Sequence, residues 1–423
     1  MRRARSACEM NLARNDQNLV IQLLFMTGKT ENLPPMNFPE RIPFGVAFAV
    51  LIFGSLLVSG CAGSPDAIIG VDNPRIRAET VSGARKHDIF IATTRAPDVD
   101  PAILYSGERS NEIGLARVTV SVPPNHVPGK IERPDSLPPD PRTEFTVLEP
   151  VSYSGERAFV EGLGSALAAR PRGERTVLLF VHGYNTTLAA AVLRLAQFVE
   201  DTGYSGVPVL FSWASRGKAI DYVYDLNSAL HARDDLIKTA RLIVQTAPEA
   251  GDIVAHSMGN FLTVEAMRQA KLEGRFDRHG LLRNIILASP DIDVDVFKKQ
   301  IATFGKDDRR YYVLISEDDK ALALSRRIAG GVDRVGGESA DELTKLGATV
   351  IDLSQVKDKN SLNHSKFAES PEVVQLIGNG ILAGNTLHTS KQGGGLIGGV
   401  AAGLKVIPAA VASGGGGAIV VAN

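Results

Sequence analysis

Cysteine is scarce in this chain: 423 residues contain two, Cys8 and Cys61. A multi-bridge disulfide scaffold is therefore excluded, and a buried core must supply the stability. An excess of charge is missing too. The formal net charge is −1, and no long block of like charge occurs, which argues against a nucleic-acid partner, since such a partner demands a basic surface. No cluster of His, Cys and Asp has the spacing of a ligand set, so neither a metal nor an organic cofactor is expected. Hydrophobic residues at 44% and charged residues at 22% are ordinary for a globular protein, so the chain can build a core.

Long apolar runs are also few, and the main one is near the start. Between Ile42 and Pro65 no residue is charged, and FGVAFAVLIFGSLLV (44–58) follows Arg41. It ends in Val58-Ser59-Gly60-Cys61, small residues directly before a cysteine. That arrangement resembles the bacterial lipobox, in which the cysteine is acylated and the preceding peptide removed. Residues 36–60 then form a lipoprotein signal peptide starting at Met36, with 1–35 an over-extended reading of the gene. The run is also long enough to remain as a membrane span, and ordinary cleavage is the other alternative. The lipoprotein reading places the protein in a bacterial cell envelope, anchored through lipid on Cys61 and facing the periplasm or exterior. It leaves one cysteine in the mature chain, blocked by lipid.

Residues 61–86 are polar and without period, which reads as a tether. Strand-like runs follow at DIFIATTR (88–95), ARVTVSVP (116–123) and TEFTVLEP (143–150), with a proline-rich loop before the last. They predict an antiparallel N-terminal edge. From residue 175 the pattern becomes strand then helix, repeatedly: TVLLFVHG, VPVLFSW, DIVAHS, NIILASPD, YYVLISEDD and ATVIDLS are each a near-continuous apolar strand. Such alternation marks a mostly parallel sheet with helices on both faces. Its chemistry is expected at the carboxyl ends of the strands. The domain is expected to span 87–375. The glycine-rich residues 376–423 are expected to be a disordered tail.

Ser257 stands in Ala255-His256-Ser257-Met258-Gly259, between a strand and a helical pattern. Small residues two before and two after a serine permit the strained turn that presents a nucleophile. The hydroxyl needs a histidine to take its proton and a carboxylate to fix the histidine tautomer. On sheets with this elbow the chain order is nucleophile, acid, histidine. Of the histidines after Ser257, His279 precedes the strand expected to supply the acid and His388 falls in the tail. His364, in a polar loop after ATVIDLS, is the expected base. Asp319, at the end of YYVLISEDD, is the expected acid; Asp318, Asp291, Asp293 and Asp295 are alternatives, for which helix capping is the competing use. Two backbone N–H groups must hold the oxyanion. Met258 is one expected donor and Tyr184, in Val181-His182-Gly183-Tyr184-Asn185, the other. Gly183 allows the close approach, while His182 and Asn185 are expected to brace the loop. Trp213 is expected to pack in the core, and 217–233 to form a cap.

Together FVHGYN, FSWAS, AHSMGN, the Asp-Lys-Ala-Leu and Asn-His-Ser segments, and IATTR near residue 91 resemble a bacterial family of uncharacterised α/β-hydrolases in the esterase/lipase superfamily. The likeness covers about residues 87–375. It implies the α/β-hydrolase fold and ester hydrolysis, with Ser257, Asp319 and His364 at the triad positions. The expected substrate is a small-molecule or lipid ester. Amide cleavage, acyl transfer to envelope components, and a non-catalytic scaffold are the alternatives. Oligomeric state is not legible in the sequence.

Overall fold

The computed structural model describes residues 64–304, 310–357, 362–383 and 404–409. The expected signal peptide and Cys61 lie outside the described residues, as does His388.

Among the described residues ten strands form one sheet. In chain order the elements are β1 (Arg85–Pro97), β2 (Tyr105–Val122), β3 (Thr146–Ser152), α1 (Glu156–Ala168), β4 (Thr176–Val181), α2 (Leu188–Thr202), β5 (Val207–Ser212), α3 (Tyr222–His231), α4 (Arg233–Gln245), β6 (Ala250–His256), α5 (Met258–Leu272), β7 (Leu282–Ala288), α6 (Val294–Ile301), β8 (Arg310–Ile315), α7 (Lys320–Ile328), α8 (Ala340–Lys345), β9 (Thr349–Asp352), α9 (Lys366–Glu369), α10 (Pro371–Gln375) and β10 (Lys405–Ile407). Across the sheet the order is β10-β9-β8-β7-β6-β4-β5-β1-β2-β3. From β1 to β9 neighbouring strands run parallel, while β2, β3 and β10 make antiparallel edges. This is the expected mostly parallel sheet with its antiparallel N-terminal edge.

Strand alternation divides the core between the two faces. Leu178 and Phe180 of β4 point to the face covered by α2 and α10. Val177, Leu179 and Val181 point to the face of α1, α4, α5 and α6. Because both faces are covered, β4 is apolar at nearly every position, which made it readable as a strand.

The packed unit extends beyond 87–375 at both ends. The stretch expected to be a tether contributes Ile68 and Ile69 to the core, and Ile69 bridges to Val147. At the other end a helical run, Leu376–Leu382, buries Ile377 and Ile381. A Cβ on Gly378 would lie 2.3 Å from the carbonyl of Thr202, so glycine there permits close contact with the end of α2. Glycine content suggested disorder at this point; close packing is the reason for it instead. Residues 405–407 pair with β9 as an edge strand, and the rest of the expected tail lies outside the described residues. The helical pattern around 222–246 is two helices, α3 and α4, that meet at Ala232.

Candidate active site

Strand β6 ends at His256, and Ser257 turns the chain into α5 with φ 54° and ψ −126°. A serine at positive φ is strained by about 1–3 kcal/mol and persists only where its surroundings enforce it. Here they do. Ser257 N–H donates to the carbonyl of Ala288 at 3.0 Å, and the Ser257 carbonyl accepts from Asp291 N–H at 3.2 Å. Asn260 ties both carbonyls together, donating from Nδ2 to Ser257 at 3.0 Å and to Ala288 at 2.8 Å. Two glycines let the elbow interlock with the loop after β4. A Cβ on Gly259 would lie 2.4 Å from the His182 carbonyl, and one on Gly183 would lie 2.8 Å from Ser257 Cβ.

That loop carries the second expected donor. Neither Tyr184 N–H nor Met258 N–H meets an acceptor among the described residues. His182 is buried and stacks on Trp213, ring centroids 5.1 Å apart. Its Nδ1–H donates to the Gly183 carbonyl at 2.8 Å, which leaves Nε2 as acceptor for the Ser212 hydroxyl at 3.2 Å. Burial, assisted by the Arg95 charge, pulls its pKa down to about 3, so the ring is neutral and a brace. Trp213 is fully buried as expected, and its indole N–H also holds the loop, donating to the His182 carbonyl at 2.8 Å. Asn185 acts through its backbone: it adopts φ 55°, which asparagine tolerates, and its N–H donates to Asp225 at 3.1 Å. In the expected cap region, Tyr184 donates its hydroxyl to the Ala219 carbonyl, and its ring meets Tyr222 edge-on at 5.2 Å.

Sequence reasoning missed two charged residues behind this loop. Arg95, at the end of β1, is buried and donates to Ser212 Oγ at 2.8 Å and to the carbonyls of Ser215 at 2.7 Å and Thr186 at 2.6 Å. Burial lowers its pKa to about 10 even with the Asp225 charge opposing, so it remains a cation. Asp225 on α3 is buried as well and accepts from Ser215 Oγ at 2.6 Å and Arg216 N–H at 3.0 Å. The legible signal was a lone charge closing an apolar strand in IATTR.

Asp319 and His364 are brought together. Asp319 Oδ2 accepts from His364 Nδ1 at 2.7 Å, and the carboxylate is almost wholly buried. Its other oxygen accepts from the N–H groups of Ala321 and Leu322, both at 3.0 Å, and so caps α7. Helix capping is the competing use expected of the other acids; Asp319 caps a helix and meets the histidine with the same carboxylate. Asp318 points elsewhere, to the buried Lys366 at 2.7 Å and to Asn363 at 2.8 Å. Burial pushes its pKa up, but the hydrogen bonds from Lys366 and Ser316 outweigh that and hold it below the ordinary value. Asp291 takes Tyr222, Ser325 and Arg334 as partners, and Asp293 caps α6. Among the described residues, Asp319 is the one carboxylate bonded to His364.

His364 is held beside the elbow by His256. The two rings are 4.7 Å apart, and His256 Nε2 lies 3.1 Å from the His364 carbonyl. Burial and the neighbouring His364 hold His256 well below the ordinary histidine pKa. Ser257 Oγ and His364 Nε2 make no hydrogen bond among the described residues, so the serine hydroxyl is unengaged.

A strained strand-to-helix elbow at the carboxyl edge of a mostly parallel sheet, beside a carboxylate–histidine pair, defines the class of the α/β-hydrolases. Residues 158–380 match the family described as "Alpha/beta hydrolase of unknown function (DUF900)", and the chain belongs to that family. It is thus a hydrolase of the α/β-hydrolase fold. No curated protein is matched. Among solved structures the chain is similar to a hyperthermophilic esterase from the archaeon Pyrobaculum calidifontis, at 12% identity, over 82% of this chain and 93% of that one, with a TM-score of 0.30.

Proposed function

We propose that the protein hydrolyses a carboxylic ester through an acyl-enzyme on Ser257. The observation that carries this reading is the 2.7 Å contact between His364 Nδ1 and Asp319 Oδ2, next to a serine whose hydroxyl is unengaged. Bound to Asp319 through Nδ1–H, the imidazole keeps its lone pair on Nε2. Nε2 removes the Ser257 proton as Oγ bonds to the ester carbonyl carbon. The carbonyl oxygen becomes an oxyanion, which the N–H groups of Met258 and Tyr184 receive; a donor of this kind is worth about 3–4 kcal/mol in the transition state. The imidazolium then gives its proton to the departing alkoxide, which leaves as alcohol. Water, deprotonated by the same Nε2, attacks the acyl carbon, and Ser257 departs with the proton returned to it. No step calls for a metal or an organic cofactor.

We propose further that the enzyme is a lipoprotein of the bacterial cell envelope, held to the membrane by acyl chains on Cys61 and acting on small-molecule or lipid esters. The support is the Val58-Ser59-Gly60-Cys61 sequence after an uncharged apolar run. The experiment is labelling with a fluorophosphonate probe, followed by stopped-flow hydrolysis of a short chromogenic ester. Wild type is expected to label on Ser257 and to show a burst; Ser257→Ala is expected to do neither while folding normally. A burst retained in Ser257→Ala overturns the nucleophile. Labelling with turnover of amides but not esters overturns the substrate class.

A further inference from the structure

One face of the sheet is incompletely covered, mainly toward the amino ends of its strands. Ile253 belongs to β6, which has strands on both sides and helices on both faces, yet it is partly exposed. It opens into a cleft of about 430 Å³ between α4, α5 and the loop after α5. Val177, Gly251 and Leu282, near the amino ends of β4, β6 and β7, also line it. The volume lies in the roughly 300–1,000 Å³ range of small-molecule sites. A hydrolase pocket is expected at the carboxyl ends of the strands, where Val181 alone of the lining strand residues lies, and neither Ser257 nor His364 lines the cleft, so it is a separate site.

The lining is apolar where it is deep and cationic where it opens. Leu179, Leu236 and Met267 form the interior, and α4 turns Ile237, Ala240 and Val244, spaced by three and four residues, toward the cleft. Two carboxylates line it, and both are engaged: Asp252 by Arg283 and Asn284, and Asp277 by the N–H groups of Leu281 and Leu282. Arg241 and Arg278, both exposed at the rim, have no carboxylate partner among the described residues. Arg278 Nε donates to the Gly274 carbonyl, but neither guanidinium charge is neutralised by a carboxylate among the described residues. An apolar slot with such cations at its mouth complements a molecule with one hydrocarbon chain and one anionic head.

We propose that this cleft binds a long-chain fatty acid, its chain lying over Leu179 and Ile253 and its carboxylate at Arg241 and Arg278. Binding is independent of Ser257. The test uses the full chain, titrated calorimetrically with fatty acids of 10 to 16 carbons and with the matching fatty alcohols. The expected result is saturable one-to-one binding that tightens about fourfold per added methylene until the slot is full. Ala240→Phe, which fills the slot from an exposed helix position, is expected to weaken binding at least about tenfold and leave hydrolysis of a short ester unchanged. Arg241→Glu with Arg278→Glu is expected to weaken the acid but not the alcohol. Three outcomes overturn the proposal. One is the absence of saturable binding in wild type. Another is binding lost on fluorophosphonate capping of Ser257 yet indifferent to Ala240→Phe, which places the chain in the catalytic site. The third is a dimer that Ala240→Phe dissociates without any fatty-acid uptake, which assigns the cleft to a second copy.

Discussion

Replacing Asp319 by asparagine separates two duties that its carboxylate performs at once. Oδ1 caps α7, and an asparagine oxygen accepts those two N–H groups equally well, so the cap survives. The amide nitrogen then faces His364 Nδ1 in place of the oxygen now 2.7 Å away. A donor meets a donor, the imidazole shifts its proton to Nε2, and the lone pair needed at Ser257 is lost. The expected fall in kcat is about 10⁴-fold, equivalent to about 5 kcal/mol of barrier, with KM and thermal stability close to wild type. Asp319→Ala is expected to lose the same activity and also the cap, about 1 kcal/mol, or roughly 2 °C in a domain of this size. Asp293→Ala supplies the control. It removes a cap of the same geometry from α6, where Oδ1 accepts from Asp295 and Val296, and should cost similar stability with kcat intact. The assay is ester turnover per folded molecule, with melting followed by circular dichroism. More than about a tenth of wild-type kcat in Asp319→Asn would refute the orienting role. Inactivity in Asp293→Ala would show that activity merely follows stability.

Further expectations concern other parts of the molecule. Gly183→Ala puts a Cβ 2.8 Å from Ser257 Cβ and displaces the loop, so kcat should drop on the order of a hundredfold with the fold retained; steady-state kinetics with an unchanged rate would remove the close-approach argument. His126 lies between Glu132 at 2.7 Å and Asp201 at 2.8 Å; burial pulls its pKa down, but those hydrogen bonds and charges prevail and raise it. A raised folded pKa means that its stabilisation is complete below the unfolded value of about 6.5 and is lost as pH rises through the folded one. The stability gap between wild type and His126→Gln, measured by urea denaturation, should therefore shrink from pH 5.5 to alkaline pH, and a pH-independent gap would contradict this. Cys61→Ser should release the enzyme from membranes, because several acyl chains at about 0.8 kcal/mol per methylene are lost; an unmodified Cys61 by intact mass would end the lipoprotein proposal.

The sequence displayed the parts of the fold that periodicity encodes. TVLLFV and NIILA are buried on both faces, so each reads as a strand without its partners. The elbow was legible because its small residues stand at fixed spacing around Ser257, between a strand and a helical pattern, although the atoms that demand a glycine at 259 belong to the end of β4 and the loop after it. Arg95 showed only as a lone charge, because its partners Ser212 and Ser215 lie far along the chain. Asp225 meets Ser215 and Arg216, ten and nine residues back, but nothing in the helical pattern around it marks it as buried. A buried polar network has no period, and nothing in IATTR indicates which carbonyls the guanidinium will find. Ile68 and Ile69 escaped notice for a related reason. Two apolar residues in a polar stretch show no pattern until β3 lies beside them. The double use of Asp319 was hidden too, since nothing in the sequence shows that one carboxylate oxygen caps a helix while the other meets a histidine 45 residues on.

The position of β1 has a consequence for where this enzyme can be cut. The region matched by the family begins at residue 158, whereas Arg95 comes from a strand wedged between β5 and β2. A fragment trimmed to the matched region would bare the whole backbone edge of β5, an open template for pairing with another chain. It would also leave the carbonyls of Thr186 and Ser215 without their cation and Ser212 without its donor. The unit that recurs across relatives and the unit that can stand alone in water are therefore different lengths of this polypeptide, and the shorter one should be recovered as aggregate.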